Sequence, residues 1–124
     1  MNVVILLDTH ILLWALANDT RLTPRMRMVL QAADLRFVSA ASVWEIEIKR
    51  ALGKLWVDGD ILDIAARAGF TPFAITWDHA AEAGRLPPHH ADPFDRLLIA
   101  QARIERLPIL SADRHFTAYD VTLA

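Results

Sequence analysis

Four carboxylates in this chain stand where chemistry is possible: Asp8, Glu45, Asp95 and Asp113. Asp8 closes the apolar, β-branched run Asn2–Leu7, and Asp113 follows the strand-like Leu107–Ser111 almost directly. Glu45 lies near the start of a helical pattern that succeeds a second strand-like run, Leu35–Ser39. Asp95 sits at the third position of a helix announced by Asp92 as N-cap and Pro93 at the first position. It lines up with Leu98, Ile99 and Ala102, so a carboxylate continues the stripe that faces the core. Acids gathered on one edge without a cation for each repel one another, and burial of a lone ionised carboxylate is unfavourable. The simplest remedy is a hard divalent cation, and oxygen-only ligands favour Mg²⁺ or Mn²⁺ over Zn²⁺. Such an ion keeps waters and open positions, which suits phosphodiester chemistry: it activates a water and stabilises the phosphorane and the leaving oxygen.

Each acid also has a plainer role. Asp8 reads equally as the cap of the following helix, a role Thr9 could also fill, and Glu45 can pair with Lys49 one turn on. Asp95 can simply complete a cap with Asp92. What separates these readings is whether the elements bring the acids together.

The apolar runs alternate with helical patterns. Strands are expected at Asn2–Leu7, Leu35–Ser39, Phe70–Thr76 and Leu107–Ser111, with an edge strand at Tyr119–Leu123. Helices are expected over Ile11–Leu16, Arg25–Ala33, Val43–Leu52 with Gly53 as its stop, Ile61–Ala68, Trp77–Arg85 and from Asp92 to about Arg106. In the third of these, Trp44, Ile48, Ala51, Leu52 and Leu55 form the expected buried stripe, with Glu45 on its border. The paired prolines make Leu86–Ala91 an irregular loop; its adjacent histidines, His89 and His90, could suggest a metal, yet adjacent histidines in a loop more often face solvent, and that is the expectation here. Two-sided apolar strands alternating with helices imply an α/β fold of three layers: a mainly parallel sheet of four to five strands with helices on both faces. Right-handed crossovers then put every strand-to-helix junction, and the four acids with them, on one edge.

The composition sets limits on these readings. The 124 residues are read as a single domain, 54% hydrophobic and 23% charged. Charges interrupt every apolar run, so no transmembrane span is expected, and the start lacks the basic leader of a signal peptide. The absence of cysteine excludes disulfides and thiolate metal sites and fits a reducing cytoplasm. A net charge of −2 argues against a simple electrostatic nucleic-acid binder. Arg25, Arg27, Lys49, Arg50, Lys54, Arg96 and Arg114 are the basic candidates for any phosphate contact, and most of them read as ordinary surface charge. With four glycines and no Gly-rich phosphate loop, a nucleotide cofactor is not expected.

Four segments, in order and spacing, resemble the PIN-domain ribonucleases: Leu7–His10, Ser39–Ile46, Asp92–Ala102 and Leu110–Asp113. The likeness is nearest to the VapC-type toxins of bacterial toxin–antitoxin pairs and spans essentially the whole chain. It implies a Mg²⁺- or Mn²⁺-dependent endoribonuclease whose acidic site falls on Asp8, Glu45, Asp95 and Asp113. It further implies hydroxyl groups at Thr9 and Ser111 that hold an acid or a water, a homodimer, and a small VapB-like antitoxin whose tail blocks the acidic pocket. Two positions depart from the pattern. Asp92 is an additional acid, read chiefly as the helix cap with metal contact as the lesser alternative, and His10, which stands where many relatives carry a different polar residue, is given no catalytic role. Other phosphoryl-transfer folds fit less well: a haloacid-dehalogenase-like phosphatase wants a second acid two residues after the first and a later lysine, and a receiver domain wants an acidic pair. The alternative from another class is a non-catalytic PIN-like module that uses its acids to recognise a basic protein partner.

Overall fold

A computed structural model describes residues 3–124. Its sheet has four parallel strands, β1 (Val4–Leu7), β2 (Leu35–Ser39), β3 (Thr71–Phe73) and β4 (Ile109–Leu110), in the order β3-β2-β1-β4. Around it pack α1 (Thr9–Ala17), α2 (Pro24–Ala32), α3 (Ala40–Ala51), α4 (Ile61–Arg67), α5 (Trp77–Arg85) and α6 (Pro93–Glu105), followed by a 3₁₀ turn at Arg114–Ala118. The α/β, three-layer arrangement expected from the sequence is the one found. Asn2, at the start of the expected first strand, lies outside the described residues. Among the described residues no helix is long and apolar enough to cross a membrane.

β1 and β4 are buried on both faces, which is why they carry no polar alternation. Ile5 and Leu7 of β1, Val38 of β2 and Leu110 of β4 join Ile11, Leu12, Leu30, Ile46 and Ile61 in one core. Leu6 and Ile109 point the other way, into a second core with Leu98, Ile99, Ala102, Phe116 and Tyr119. Burial of each such Leu or Ile contributes about 2 kcal/mol, so the two cores lock the strand phase.

Three expectations need correction. The last strand, Tyr119–Leu123, reduces to a single parallel bridge between Ile109 and Leu123. Tyr119 is instead drawn inward, its hydroxyl donating to Pro87 O at 2.7 Å and accepting from His90 N at 2.7 Å. On α3, Trp44 is 58% and Leu52 62% exposed, whereas Ala41, Ser42, Glu45 and Ile46 are buried. The face against the sheet is thus chosen by small and hydrogen-bonding side chains rather than by the largest apolar ones. Finally, Asp95 does not follow a strand. α5 and α6 form an antiparallel hairpin, with His79 at the start of α5 meeting Glu105 at the end of α6 (3.0 Å) and Arg96 meeting the end of α5. The hairpin loop, not a strand end, delivers Asp95.

A candidate metal centre at the sheet edge

The strand order runs outward from β1 through β2 to β3, then jumps back to place β4 on the other side of β1. Open α/β sheets bind ligands outside the carboxyl ends of the strands at such a reversal. Asp8 leaves the end of β1, and its N–H still donates to Leu110 O at 3.0 Å. At the end of β4, Ser111 Oγ donates to Asp8 Oδ2 at 2.8 Å and accepts from Asp113 N at 2.9 Å. One hydroxyl therefore fixes two of the acids. Asp8 occupies the N-cap position of α1 but makes no side-chain cap bond, so capping does not account for its carboxylate.

Glu45 reaches the site from the second turn of α3, where Ser39 caps the helix by accepting from Ala41 N at 3.0 Å. Its side chain is 5% exposed; Oε2 accepts from Lys49 Nζ at 2.7 Å, while Oε1 is buried with no partner. The expected pairing with Lys49 is present and uses one oxygen only. Thr9 is buried and donates to Ser42 Oγ at 2.9 Å, so it ties α1 to α3 instead of holding an acid directly.

Asp92 Oδ1 accepts from Phe94 N at 2.8 Å and Asp95 N at 3.1 Å, the cap read from the sequence. This frees the Asp95 carboxylate to face the cluster. Burial, and then the charges of Asp92, Asp8, Glu45 and Asp113, push Asp95 up to about 7. Burial likewise raises Asp8 against the opposing pull of its Ser111 bond. Four acids thus sense one another through a partly desolvated space, the condition that a bound cation relieves. Asp113 is half-buried and also caps the 3₁₀ turn through His115 N at 2.8 Å.

One member of the cluster departs from the solvent-facing placement expected of it. His90 is turned inward: its Nε2 lies 3.1 Å from Asp95 Oδ2 and 3.8 Å from Asp113 Oδ2, while His89 is exposed as expected. No periodic pattern marks a loop residue, but the capping Asp92 two positions on and the neighbouring acid-bearing helix were a usable signal. The loop is pinned by Arg96, whose guanidinium donates to Ala83 O, Leu86 O, Pro87 O and His90 O at 2.8–3.2 Å. Arg96 is therefore an internal clamp and leaves the set of phosphate-contact candidates. Arg27 is similarly committed to Leu22 O, Asn18 and Asp19 O. The acids are separate from an apolar groove of about 560 Å³ along α3, α4 and β3, lined by Val38, Val43, Trp44, Leu62 and Phe73.

Orphaned Glu45 Oε1, the mutual destabilisation of the carboxylates and their all-oxygen character fit a hard divalent cation, and no fixed ammonium or guanidinium besides Lys49 reaches the acids among the described residues.

The model of the PIN domain family matches residues 5–121. The chain belongs to the PIN domain family. Among curated proteins the sequence finds no match. Solved structures with this PIN fold include a toxin–antitoxin complex from Klebsiella pneumoniae, 18% identical with a TM-score of 0.67 over 97% of this chain and 96% of that one. Another is the VapBC2 complex of Rickettsia felis bound to a promoter DNA fragment, 10% identical, TM-score 0.69, over 98% and 97%. A third is FitAcB from Neisseria gonorrhoeae, 22% identical, TM-score 0.62, over 96% and 95%. At these identities the likeness establishes the fold.

Proposed function

We propose that this PIN domain is a Mg²⁺- or Mn²⁺-dependent endoribonuclease that acts as the toxin of a toxin–antitoxin pair. The observation that carries the reading is the convergence of Asp8, Glu45, Asp95 and Asp113, registered in the rise of Asp95 to about 7. Asp8, Asp95 and Glu45 would hold the ion, and Asp113 would complete the site. The ion supplies an activated water and neutralises charge at the phosphate. The chain's own residues set the geometry. Ser111 Oγ orients Asp8 by donating to Oδ2; Asp92 keeps the start of α6 in place; Lys49 fixes Oε2 of Glu45 and leaves Oε1 for the site. This density of negative charge repels an RNA phosphate, and a cation held by these acids would offset that repulsion.

The toxin role is supported by the fold neighbours, one of them solved as a toxin–antitoxin complex and another, VapBC2, on a fragment of promoter DNA. By this reading a VapB-like antitoxin is the partner, the toxin is a cytoplasmic homodimer, and residues 1–124 act as one domain.

The test is cleavage of a mixed pool of structured and unstructured RNA by the antitoxin-free protein. It is run with Mg²⁺, Mn²⁺ or EDTA, beside Asp8→Asn and Asp95→Asn. Cleavage that requires metal and is lost in both variants is expected. Cleavage indifferent to EDTA or to either variant refutes the mechanism, and no cleavage together with no Mn²⁺ binding replaces it with a non-catalytic binding module.

A further inference from the structure

We propose that His90 belongs to the metal centre: its Nε2 ligates the divalent cation together with Asp95 and Asp113, giving a mixed nitrogen–oxygen site that prefers Mn²⁺ to Mg²⁺. This rests on the reading of the acids as a metal centre, but not on RNA as the substrate.

Three observations carry it. First, a ring nitrogen of His90 and one carboxylate oxygen each from Asp95 and Asp113 lie within 4.8 Å of one another, close enough to share one ion. Second, His90 Nε2 is buried without a hydrogen-bond partner: Asp95 Oδ2 at 3.1 Å and Asp113 Oδ2 at 3.8 Å stand in ion-pair range of a protonated ring but outside hydrogen-bond geometry. A buried polar atom without a hydrogen bond is unfavourable, and it lies beside two oxygens that are themselves short of cations. The second orphan of the site, Glu45 Oε1, belongs to a side chain that is 5% exposed. Third, the loop is built to hold the ring there. Arg96 and Tyr119 bind the backbone of Pro87 and His90 from two different elements, and the ring rests against Phe116 with centroids 6.1 Å apart. A histidine that only faced water would need none of this.

The consequence for metal choice follows from donor chemistry. Mg²⁺ is a hard ion that takes oxygen and parts reluctantly with water, so an imidazole adds little to its affinity. First-row transition ions accept imidazole nitrogen readily. An all-carboxylate site would bind both with little discrimination; one nitrogen tilts it toward Mn²⁺.

Electron spin-echo spectroscopy of the Mn²⁺-loaded full chain, free of antitoxin, reads the proposal directly. The wild type is expected to show modulation from one imidazole nitrogen, absent in His90→Ala and retained in His89→Ala. Calorimetry with Mn²⁺ and, separately, Mg²⁺ is expected to give at least a tenfold loss of Mn²⁺ affinity in His90→Ala and less than a threefold loss for Mg²⁺. A wild-type spectrum without nitrogen coupling overturns the proposal and depends on no variant. So does a wild type that binds no Mn²⁺, or a His90→Ala protein that binds it undiminished. Metal-dependent RNA cleavage without nitrogen coupling removes this inference and leaves the nuclease reading standing. Nitrogen coupling in a protein that cuts no RNA does the reverse.

Discussion

Asp95→Asn should stabilise the metal-free protein. The folded state holds the Asp95 proton up to about pH 7, because the carboxylate is partly buried and faces Asp92, Asp8, Glu45 and Asp113. In the unfolded chain the same group titrates near the ordinary value of about 3.9. Between these values the native state binds more protons than the unfolded state, so stability falls as pH rises through the interval. The loss is absent below about pH 4 and complete above about pH 7. A gap of about three units corresponds to about 4 kcal/mol at most; the site is open to water on one side, and halving for screening leaves about 2 kcal/mol. For a chain of this length that is a shift in Tm of roughly 8 °C. Asparagine has the same shape and no charge, so Asp95→Asn should gain that amount at pH 8 in EDTA and gain nothing at pH 4. Thermal or urea denaturation at the two pH values measures it. Mn²⁺ should reverse the order at pH 8, since the cation stabilises the wild type by mass action and the variant much less. An Asp95→Asn protein no more stable than wild type at pH 8, or equally advantaged at both pH values, would refute the claim that these acids strain one another.

Four further outcomes are expected. Ser111→Ala removes the hydroxyl that orients Asp8 and should weaken Mn²⁺ binding about 10-fold by calorimetry; unchanged affinity would mean that Asp8 needs no orienter. Asp92→Ser retains a cap for α6 but deletes a charge beside Asp95, so the pH midpoint of the apo stability loss should move down, whereas Asp92→Ala should also lose about 1 kcal/mol of stability. Arg96→Lys keeps the charge and loses the planar fork that joins carbonyls from two elements; a loss of about 2 kcal/mol in denaturant titrations is expected, with weaker Mn²⁺ binding as the His90 loop loosens. Trp44→Ala, at an exposed position at the rim of the apolar groove and T-shaped against Phe94, should change stability by under about 1 kcal/mol, contrary to the buried role its spacing suggests.

The parts of this molecule readable from sequence are those governed by one strong local rule. Val4–Leu7 is apolar at every position because both faces are covered, and that alone announces a central parallel strand. Asp92–Pro93 announces the start of α6 because cap and first-turn chemistry are local. The acids were legible for the same reason, since charge in an apolar context is conspicuous. Failures came where a residue's partner is distant in sequence. Periodicity assigned the inner face of α3 to Trp44 and Leu52, but Ser42 is held by Thr9 and Glu45 by the site, so hydrogen bonding overrode apolar size. Arg96 looked like surface charge because its acceptors are carbonyls, which no side-chain pattern reveals. His90 looked like a solvent-facing loop residue because Tyr119, which holds its backbone, is 29 residues away.

Sheet register joins fold to site more tightly than any single side chain. Leu7 pairs with Leu110, so the next residues along, Asp8 and Ser111, emerge opposite one another, and the hydroxyl meets the carboxylate at 2.8 Å. A slip of one residue in β4 would present Ala112 to Asp8 in place of Ser111. The same slip would send Ile109 and Leu110 each into the other's core, because side chains alternate faces along a strand. The two consequences are inseparable: the packing that fixes Leu110 in one core and Ile109 in the other also fixes the hydroxyl on which Asp8 and Asp113 both depend. A two-residue strand can bear that role because both of its residues are fully buried, and because the Asp8 N–H just beyond β1 adds a further bond to Leu110 O. The acidic edge is therefore set by the hydrophobic core beneath it, and core substitutions at Ile109 or Leu110 that shift register should disturb metal binding before they unfold the protein.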